Sequence, residues 1–347
     1  MKTLTKILGR TAIAAAALAL MGGIAQAQKT KLTVYTALEN DQLAPLKKAF
    51  ETDNPTIEIA WVRDSTGVIA ARVLAEKANP QADIIWGLAL TNMIQFDKQG
   101  MLDVYTPVGA DKLRPQFVPA AAAAKTWAGM DAYLSFVCYN SAEAKDKKLP
   151  VVKTWKDLTD PAFKGRIVMP NPASSGTGYL TIAAWLQTMG EDAGWKFMDA
   201  LHANIGQYVH SGSAPCTLAG RGEFAVGIGL DMRGVSEKGK GAPLDLILPS
   251  DGLGWELEAT GIVKGTKNLA AAKKLMDWSV SKAAMEIYAQ TYAMVGLPGV
   301  ESTAKGYPTK DVEKLMVKND FGWMAANRDR VLAEWTKRYD AKSAPKK

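Results

Sequence analysis

From Lys31 onward the chain alternates short apolar strands with helical stretches, and that order narrows the fold more than any single motif does. Lys31 to Thr36 (KLTVYT) has the period-two alternation of a half-buried strand, and Asp41 to Glu51 follows with Leu43, Leu46 and Phe50 at helical spacing. Ile57 to Val62 and Val68 to Lys77 repeat the pair, and Asp83 to Trp86 adds a short third strand. Such repeats predict an α/β fold, a mainly parallel sheet covered by helices. Ala132 to Tyr139 (AYLSFVCY) reads as a long apolar strand, followed by a charged loop over Glu143 to Lys148 and by Pro150. The composition shift there marks a crossing into a second domain. A second α/β unit then runs through Arg166 to Pro170, a helix over Tyr179 to Met189, Gln207 to His210, a helix start at Ala214, and Phe224 to Gly229. Trp255 to Val263 (WELEATGIV) reads as the strand that crosses back, leading to a helix capped by Asn268. The chain closes on an amphipathic stretch, Asp320 to Tyr339, with Trp323, Val331, Leu332, Trp335 and Tyr339 at helical spacing.

The strand-to-helix junctions share one chemistry. After the first three strands come Thr36-Ala37-Leu38-Glu39-Asn40, Asp64-Ser65-Thr66-Gly67 and Gly87-Leu88-Ala89; the second unit supplies Asn171 to Leu180 (NPASSGTGYL) and Ser211-Gly212-Ser213-Ala214. In open α/β sheets ligands bind beyond the carboxyl ends of the strands, where these junctions fall. The first turn of a helix leaves backbone N–H groups without partners, and with hydroxyls beside them they form a cradle for an oxyanion that needs no lysine or metal. Any one junction is explained as well by helix capping; five of the same kind point to a binding cleft.

Met1 to Ala27 reads as a secretory signal: Lys2, Lys6 and Arg10 open it, Thr11 to Leu20 is its apolar core, and Ala25-Gln26-Ala27 is a small-x-small cleavage site. The expected mature protein begins near Gln28, is exported, and has no cysteine at the cleavage point to carry a lipid. Removing the leader takes three positive charges from the formal +7, leaving +4. No basic helix face is interleaved with aromatics, so nucleic acid is not an expected partner. The 48% hydrophobic content is ordinary for a globular protein of one large or two medium domains.

Cys138 and Cys216 fall in what read as different elements, a strand and a helix start. A disulfide and a pair of buried free thiols are both open, and the difference of element favours the thiols. With only His202 and His210 there is no Cys/His or Ser/His/Asp set and no cluster of metal ligands, so neither an enzyme nor a metal site is expected.

The ordered set YTALEND, WVRDSTG, PQADIIWG, a strand ending in YN, TWKDLTDPAFKGRIVMPNPASSGTGYL, GSAP and AAKKLMDWSVSKAA resembles the periplasmic solute-binding proteins of ABC importers. More narrowly it is similar to the ferric-ion-binding-like branch of the type II fold. The resemblance runs over nearly the whole mature chain. It implies two α/β lobes joined by two hinge-crossing strands: 28–137 in the first lobe, 138–256 in the second, and 257–347 returning to the first with the C-terminal helices. It implies a monomer without cofactor, closing on a small ligand that it hands to a permease in the inner membrane. Iron-binding members of the branch use two adjacent tyrosines in the second lobe; the matching segment, Gly227 to Arg233 (GIGLDMR), has none, so iron is not expected. The sequence most resembles the members that bind 2-aminoethylphosphonate, with hexose phosphate, polyamine or ferric ion as alternative ligands.

On that reading the phosphonate lies against Ser174, Ser175, Gly176, Thr177 and Ser213, with Ser65 and Thr66 reaching from the first lobe. The ammonium needs carboxylates, since a buried cation is costly unless paired. Glu39, Asp231 and Glu256 are the candidates, with Asp64 and Glu258 in reserve. Ala37, Leu38 and Gly87 belong to the facing junctions, and Tyr35, Trp86 and Trp255 are expected walls that exclude water. Arg63 and Arg233 are the alternative anion partners.

Overall fold

The computed structural model describes residues 29–120 and 123–345; the predicted leader, residues 1–27, lies outside them. The first unit starts as the alternation predicts. Strands β1 (Thr30–Thr36), β2 (Ile57–Arg63) and β3 (Ile84–Ala89) run parallel around β1. Helices α1 (Asn40–Asp53), α2 (Thr66–Ala75) and α3 (Leu90–Lys98) follow them in turn. Every residue of β3 is buried, as expected of a parallel strand covered on both faces.

Strand β4 (Ala128–Asn140) is the spine of the molecule, and all thirteen of its residues are buried. Its first half pairs antiparallel with β9 (Trp255–Ile262), Ala128 to Leu134 against Thr260 to Trp255. Its second half leaves the first sheet and pairs with β7 (Val226–Leu230) from Ser135 and with β8 (Leu244–Ile247) from Val137. The chain therefore crosses between units at Leu134 and Ser135. Strand β9 closes the first sheet against β3, and β10 (Met294–Val295) adds to β4.

The second unit is built on β5 (Ile167–Pro170), β6 (Ile205–Val209) and β7, with β5 parallel to both. Its helices are α4 (Ser141–Asp146), α5 (Gly176–Met189), α6 (Glu191–Asn204), α7 (Ala214–Gly220) and α8 (Asp231–Gly239). Helices α9 (Leu269–Ser279) and α10 (Lys282–Tyr288) return to the first unit, and α11 (Phe321–Tyr339) binds the two together from behind. It packs on α3 at one end. Along its length Met324 accepts a hydrogen bond from Tyr179 of α5, Arg330 clamps Glu191 with two bonds of 2.6 and 2.8 Å, and Arg338 reaches Asp199 at 3.1 Å.

Two expectations are corrected. The charged stretch after β4 is not a loop at its start: Asn140 caps Glu143 and opens α4, because an Asn cap with an acid in the first turn favours a helix start. Cys138 and Cys216 are joined, with Cα atoms 5.3 Å apart, rather than free. They do lie in a strand and a helix, but α7 packs directly on β7 and β4, which brings the helix cysteine over the strand cysteine. Closing a loop of 78 residues' separation is worth about 4 kcal/mol in the chain-entropy picture.

Candidate ligand cleft between the two units

The site begins where two helix N-termini meet. Ser65 caps α2 in the first unit and Ser175 caps α5 in the second. They approach closely enough for the Gly67 N–H to donate to the Ser174 carbonyl at 2.9 Å. Both helices aim unpaired N–H groups and the positive ends of their dipoles at the gap, which favours an anion there. Beside a wider opening of about 430 Å³ between α1 and α8, lined among others by Glu39, Gln42, Arg233 and Ser236, the gap at the two helix N-termini is about 30 Å³, lined by Ala37, Glu39, Arg63, Ser65, Thr66, Tyr133, Ser175 to Thr177, Ser211, Gly212, Leu230 and Glu258. That gap is smaller than any organophosphate, so a ligand enters it only if the units part.

Two glycines set the closeness of the walls. A Cβ on Gly176 would lie 2.7 Å from the Thr66 Oγ1 and 2.8 Å from the Tyr133 Oη, so one residue from each unit and one from the crossing strand converge on that backbone. A Cβ on Gly212 would meet the Thr177 Oγ1 at 2.4 Å and the Ser175 Oγ at 2.9 Å. Among the described residues the hydroxyls of Ser65, Thr66 and Thr177 make no hydrogen bond, whereas Ser175 accepts from the Gly178 N–H at 3.2 Å as the cap of α5. Three free hydroxyls from two units facing one gap are what an incoming anion requires.

The opposite wall is acidic. Strands β4 and β9 pair Asp131 with Glu258 and Tyr133 with Glu256; residues two apart share a strand face, so the four groups line one side of the crossing ribbon. Glu256 accepts from the Thr91 N–H at 2.7 Å and from Tyr133 at 3.4 Å. Glu258 accepts from the Tyr292 hydroxyl at 2.5 Å, and Gln42 donates to that hydroxyl at 3.1 Å. Burial raises all three carboxyls of the ribbon above their usual range, Glu258 to about 7. Burial also pushes Asp231 up to about 6. Glu39 differs: Arg63 approaches it at 3.3 Å and Arg233, from the other unit, at 2.8 Å. It sits between two cations and joins the two halves.

The predicted site residues divide accordingly. Ala37, Glu39, Ser65, Thr66, Ser175, Gly176 and Thr177 line the gap. The Ser174 hydroxyl instead donates to the His210 carbonyl at 3.0 Å, and Ser213 lies outside the lining, its Oγ 2.8 Å from the Ser211 Oγ. Leu38 and Gly87 act as scaffold: the Leu38 carbonyl accepts from Arg63 at 2.9 Å and the Gly87 carbonyl from the Ala37 N–H at 2.9 Å. Asp231 is bound to the Leu134 N–H at 3.1 Å and to the Tyr307 hydroxyl at 2.7 Å. It and Glu256 sit behind the lining, and the reserve residue Glu258 faces the gap in their place. Asp64 turns back to the Ser65 N–H.

None of the three aromatic walls is in the cleft. Trp86 is a core residue, donating to Tyr288 at 2.8 Å and packing on Trp61 and Trp278. Tyr35 donates to Glu76, and Trp255 donates to the Val317 carbonyl at 2.7 Å beside Phe321. Strand ends bring such rings near a cleft, but their N–H and O–H groups find partners behind it. Tyr133, Ser211 and Gly212 take their place in the lining, and Asp131 stands behind Glu258. Asp131 was not among the expected residues; its one signal in the sequence is an acid inside an otherwise apolar run, GMDAYLSFVCY.

Residues 79–324 match the family of bacterial extracellular solute-binding proteins. An uncharacterised protein of Haemophilus influenzae is 33% identical over 94% of both chains. The periplasmic binding protein AfuA from Actinobacillus pleuropneumoniae, solved with exogenous fructose-6-phosphate bound, superposes with a TM-score of 0.82 at 32% identity, covering 90% of this chain and 99% of that one. Iron-bound HitA from Pseudomonas aeruginosa shares the fold, with a TM-score of 0.74 at 19% identity over 88% of this chain and 99% of that one. A Salmonella paratyphi A protein provisionally described as a 2-aminoethylphosphonate-binding periplasmic protein is 26% identical over 66% of both chains. With its two α/β units, crossing strands and hydroxyl-lined gap, the protein has the type II periplasmic binding protein fold and belongs to the bacterial extracellular solute-binding proteins, the capture components of ABC importers.

Proposed function

We propose that this protein captures a phosphorylated sugar or polyol between its two units and presents it to an ABC permease in the inner membrane. The observation that carries the reading is the convergence of the free Ser65, Thr66 and Thr177 hydroxyls and two helix N-termini on one gap, opposite a wall of Tyr133 and Glu258. The phosphate takes the first set, where each charge-assisted hydrogen bond contributes about 1.5–3 kcal/mol. The hydroxyls of the ligand take the second, which offers both donors and acceptors. Capture proceeds by closure: ligand binding favours the state in which α2 and α5 meet, and Glu39 bridges to Arg233 across the mouth. The likeness to a fructose-6-phosphate-bound relative at 32% identity supports the ligand class.

A second reading is 2-aminoethylphosphonate, favoured by one feature: the Asp131 and Glu258 pair has no lysine or arginine against it among the described residues, and an ammonium would supply the missing cation. The two readings part in a calorimetric titration of refolded, ligand-stripped protein with fructose 6-phosphate, 2-aminoethylphosphonate and inorganic phosphate. Tight one-to-one binding of the sugar phosphate alone is expected. Heat from the aminophosphonate alone discards the sugar, and silence with all three overturns the anion cradle.

A further inference from the structure

The crossing ribbon holds a pair of acids that the phosphate end does not explain. Asp131 on β4 and Glu258 on β9 are direct register partners. Asp131 is fully buried, and neither of its carboxyl oxygens has a hydrogen-bond donor among the described residues. Glu258 lines the gap and has one donor, Tyr292, on one oxygen. The titratable groups whose charge bears on them are Glu39 from the start of α1, Asp231 from α8, Tyr288 from α10, Tyr133 from the ribbon itself, Tyr292 and Tyr307. None of these is a cation; the buried Arg328 of α11 acts on the neighbouring Glu256 and Tyr133, and Arg63 and Arg233 are taken by Glu39. Two adjacent carboxyls, one fully buried and one half-buried, resist ionising together without a counter-charge. A proton between them is the hydrogen bond that Asp131 otherwise lacks.

We propose that Asp131 and Glu258 form a proton-sharing pair that selects among organophosphates by the charge of the ligand's far end, holding one proton at neutral pH and accepting either a second proton or a ligand ammonium. This rests on the organophosphate reading of the cleft. Glu258 touches the ligand, and Asp131 is a positioning residue that acts through it. The raised titration of both groups agrees with the geometry, and for such a pair the titration belongs to the two together. A hydroxylated ligand is accepted in either state: a pair that carries the second proton keeps it, and the pair donates to and accepts from the hydroxyls. An ammonium takes the second proton's place, so a pair that carries two protons gives one up to solvent, whereas a pair that carries one is neutralised by the ammonium itself.

Infrared difference spectroscopy of the ligand-free protein at pH 8 tests the pair without any ligand. A protonated-carboxyl stretch is expected in the parent and its loss in Asp131→Asn; no such band, or one that survives the substitution, overturns the shared proton. A matched pair of probes, 2-aminoethylphosphonate and 2-hydroxyethylphosphonate, then tests selection, because their common phosphonate titration cancels in the ratio of affinities. That ratio should rise about tenfold in favour of the amine between pH 6 and pH 8 as the competing second proton is lost, and stay flat in Asp131→Asn. A flat ratio in the parent overturns the selective role. If neither probe nor fructose 6-phosphate binds, the organophosphate reading falls, while the band still decides the shared proton.

Discussion

The hydroxyl end of the cleft is made from a few short chain segments whose donors stand free among the described residues, whereas the acid end draws Glu39, Asp131, Asp231, Glu256 and Glu258 from four separated stretches, and most of these are engaged with one another, with tyrosines or with arginines. The first is a preformed receptor for charge: helix N-termini and hydroxyls need no change of state to accept an oxyanion. The second is a titrating surface whose charge depends on what is bound. On the proposed reading an importer's receptor gains from the division, since the cradle would hold the phosphorylated end of a ligand and the ribbon would sort ligands by the other.

Substitutions that strike one end and spare the other would sharpen that comparison. The largest effect is expected beneath both, inside the second unit: Cys138→Ser with Cys216→Ser unties α7 from β4 and should cost about 4 kcal/mol of stability, read by denaturant unfolding. Ligand affinity should change little, because both cysteines lie beneath the lining. Next comes Gly176→Ala. Its Cβ would meet the Thr66 and Tyr133 oxygens within 2.8 Å, which opposes closure rather than folding, and overpacking of this kind costs about 1–3 kcal/mol. Affinity should fall by up to about a hundredfold, with small-angle scattering showing no compaction on adding ligand. Normal compaction would mean that the units meet differently.

Thr177→Ala should weaken binding by about 1–3 kcal/mol, and Ser174→Ala, whose hydroxyl serves the His210 carbonyl, by far less. Equal losses would put the cradle in the wrong place. At the acid end the signature is in pH. Burial raises the folded-state pKa of Glu258 to about 7, above its unfolded value near 4.5, so the stability tied to the bound proton is fully present below that lower value and is lost as pH rises towards 7. Asp131→Asn gives Glu258 a donor and relieves the like charge. The fall in melting temperature between pH 5 and pH 8 should therefore be smaller in the variant than in the parent; an unchanged fall would clear the pair of any role in stability. The smallest effect is expected for Arg233→Met, which removes the 2.8 Å contact to Glu39 across the mouth. A partly exposed ion pair contributes about 1 kcal/mol or less, so affinity should drop by less than tenfold, and the drop should shrink further at high salt.

Much of the cradle was legible because it is local. Ser65-Thr66 and Ser175-Gly176-Thr177 announce themselves as cap residues after strands, and a cap's direction is set by its own helix. Even so, local reading misassigned Ser174 and Ser213, because which hydroxyl faces the gap depends on the carbonyl or hydroxyl that happens to lie behind it. The acids were harder. An acid in a sequence reads as a surface group, and only the β4–β9 register turns Asp131 and Glu258 into neighbours. The aromatic walls failed for the same reason: Trp86, Tyr35 and Trp255 have partners supplied by Tyr288, Glu76 and Val317, each far away along the chain.

By itself, then, the sequence determined the α/β alternation, the strand that crosses out and the strand that returns, and the chemistry of the strand-to-helix junctions, since all of these follow from periodicity and capping within a dozen residues. Only the tertiary structure decided that Cys138 meets Cys216, that Glu258 rather than Glu256 lines the gap, and that Glu39 is shared between two arginines. Those are contacts between residues tens to hundreds of positions apart, fixed by strand register and by how helices pack on the sheet, and no local pattern encodes them.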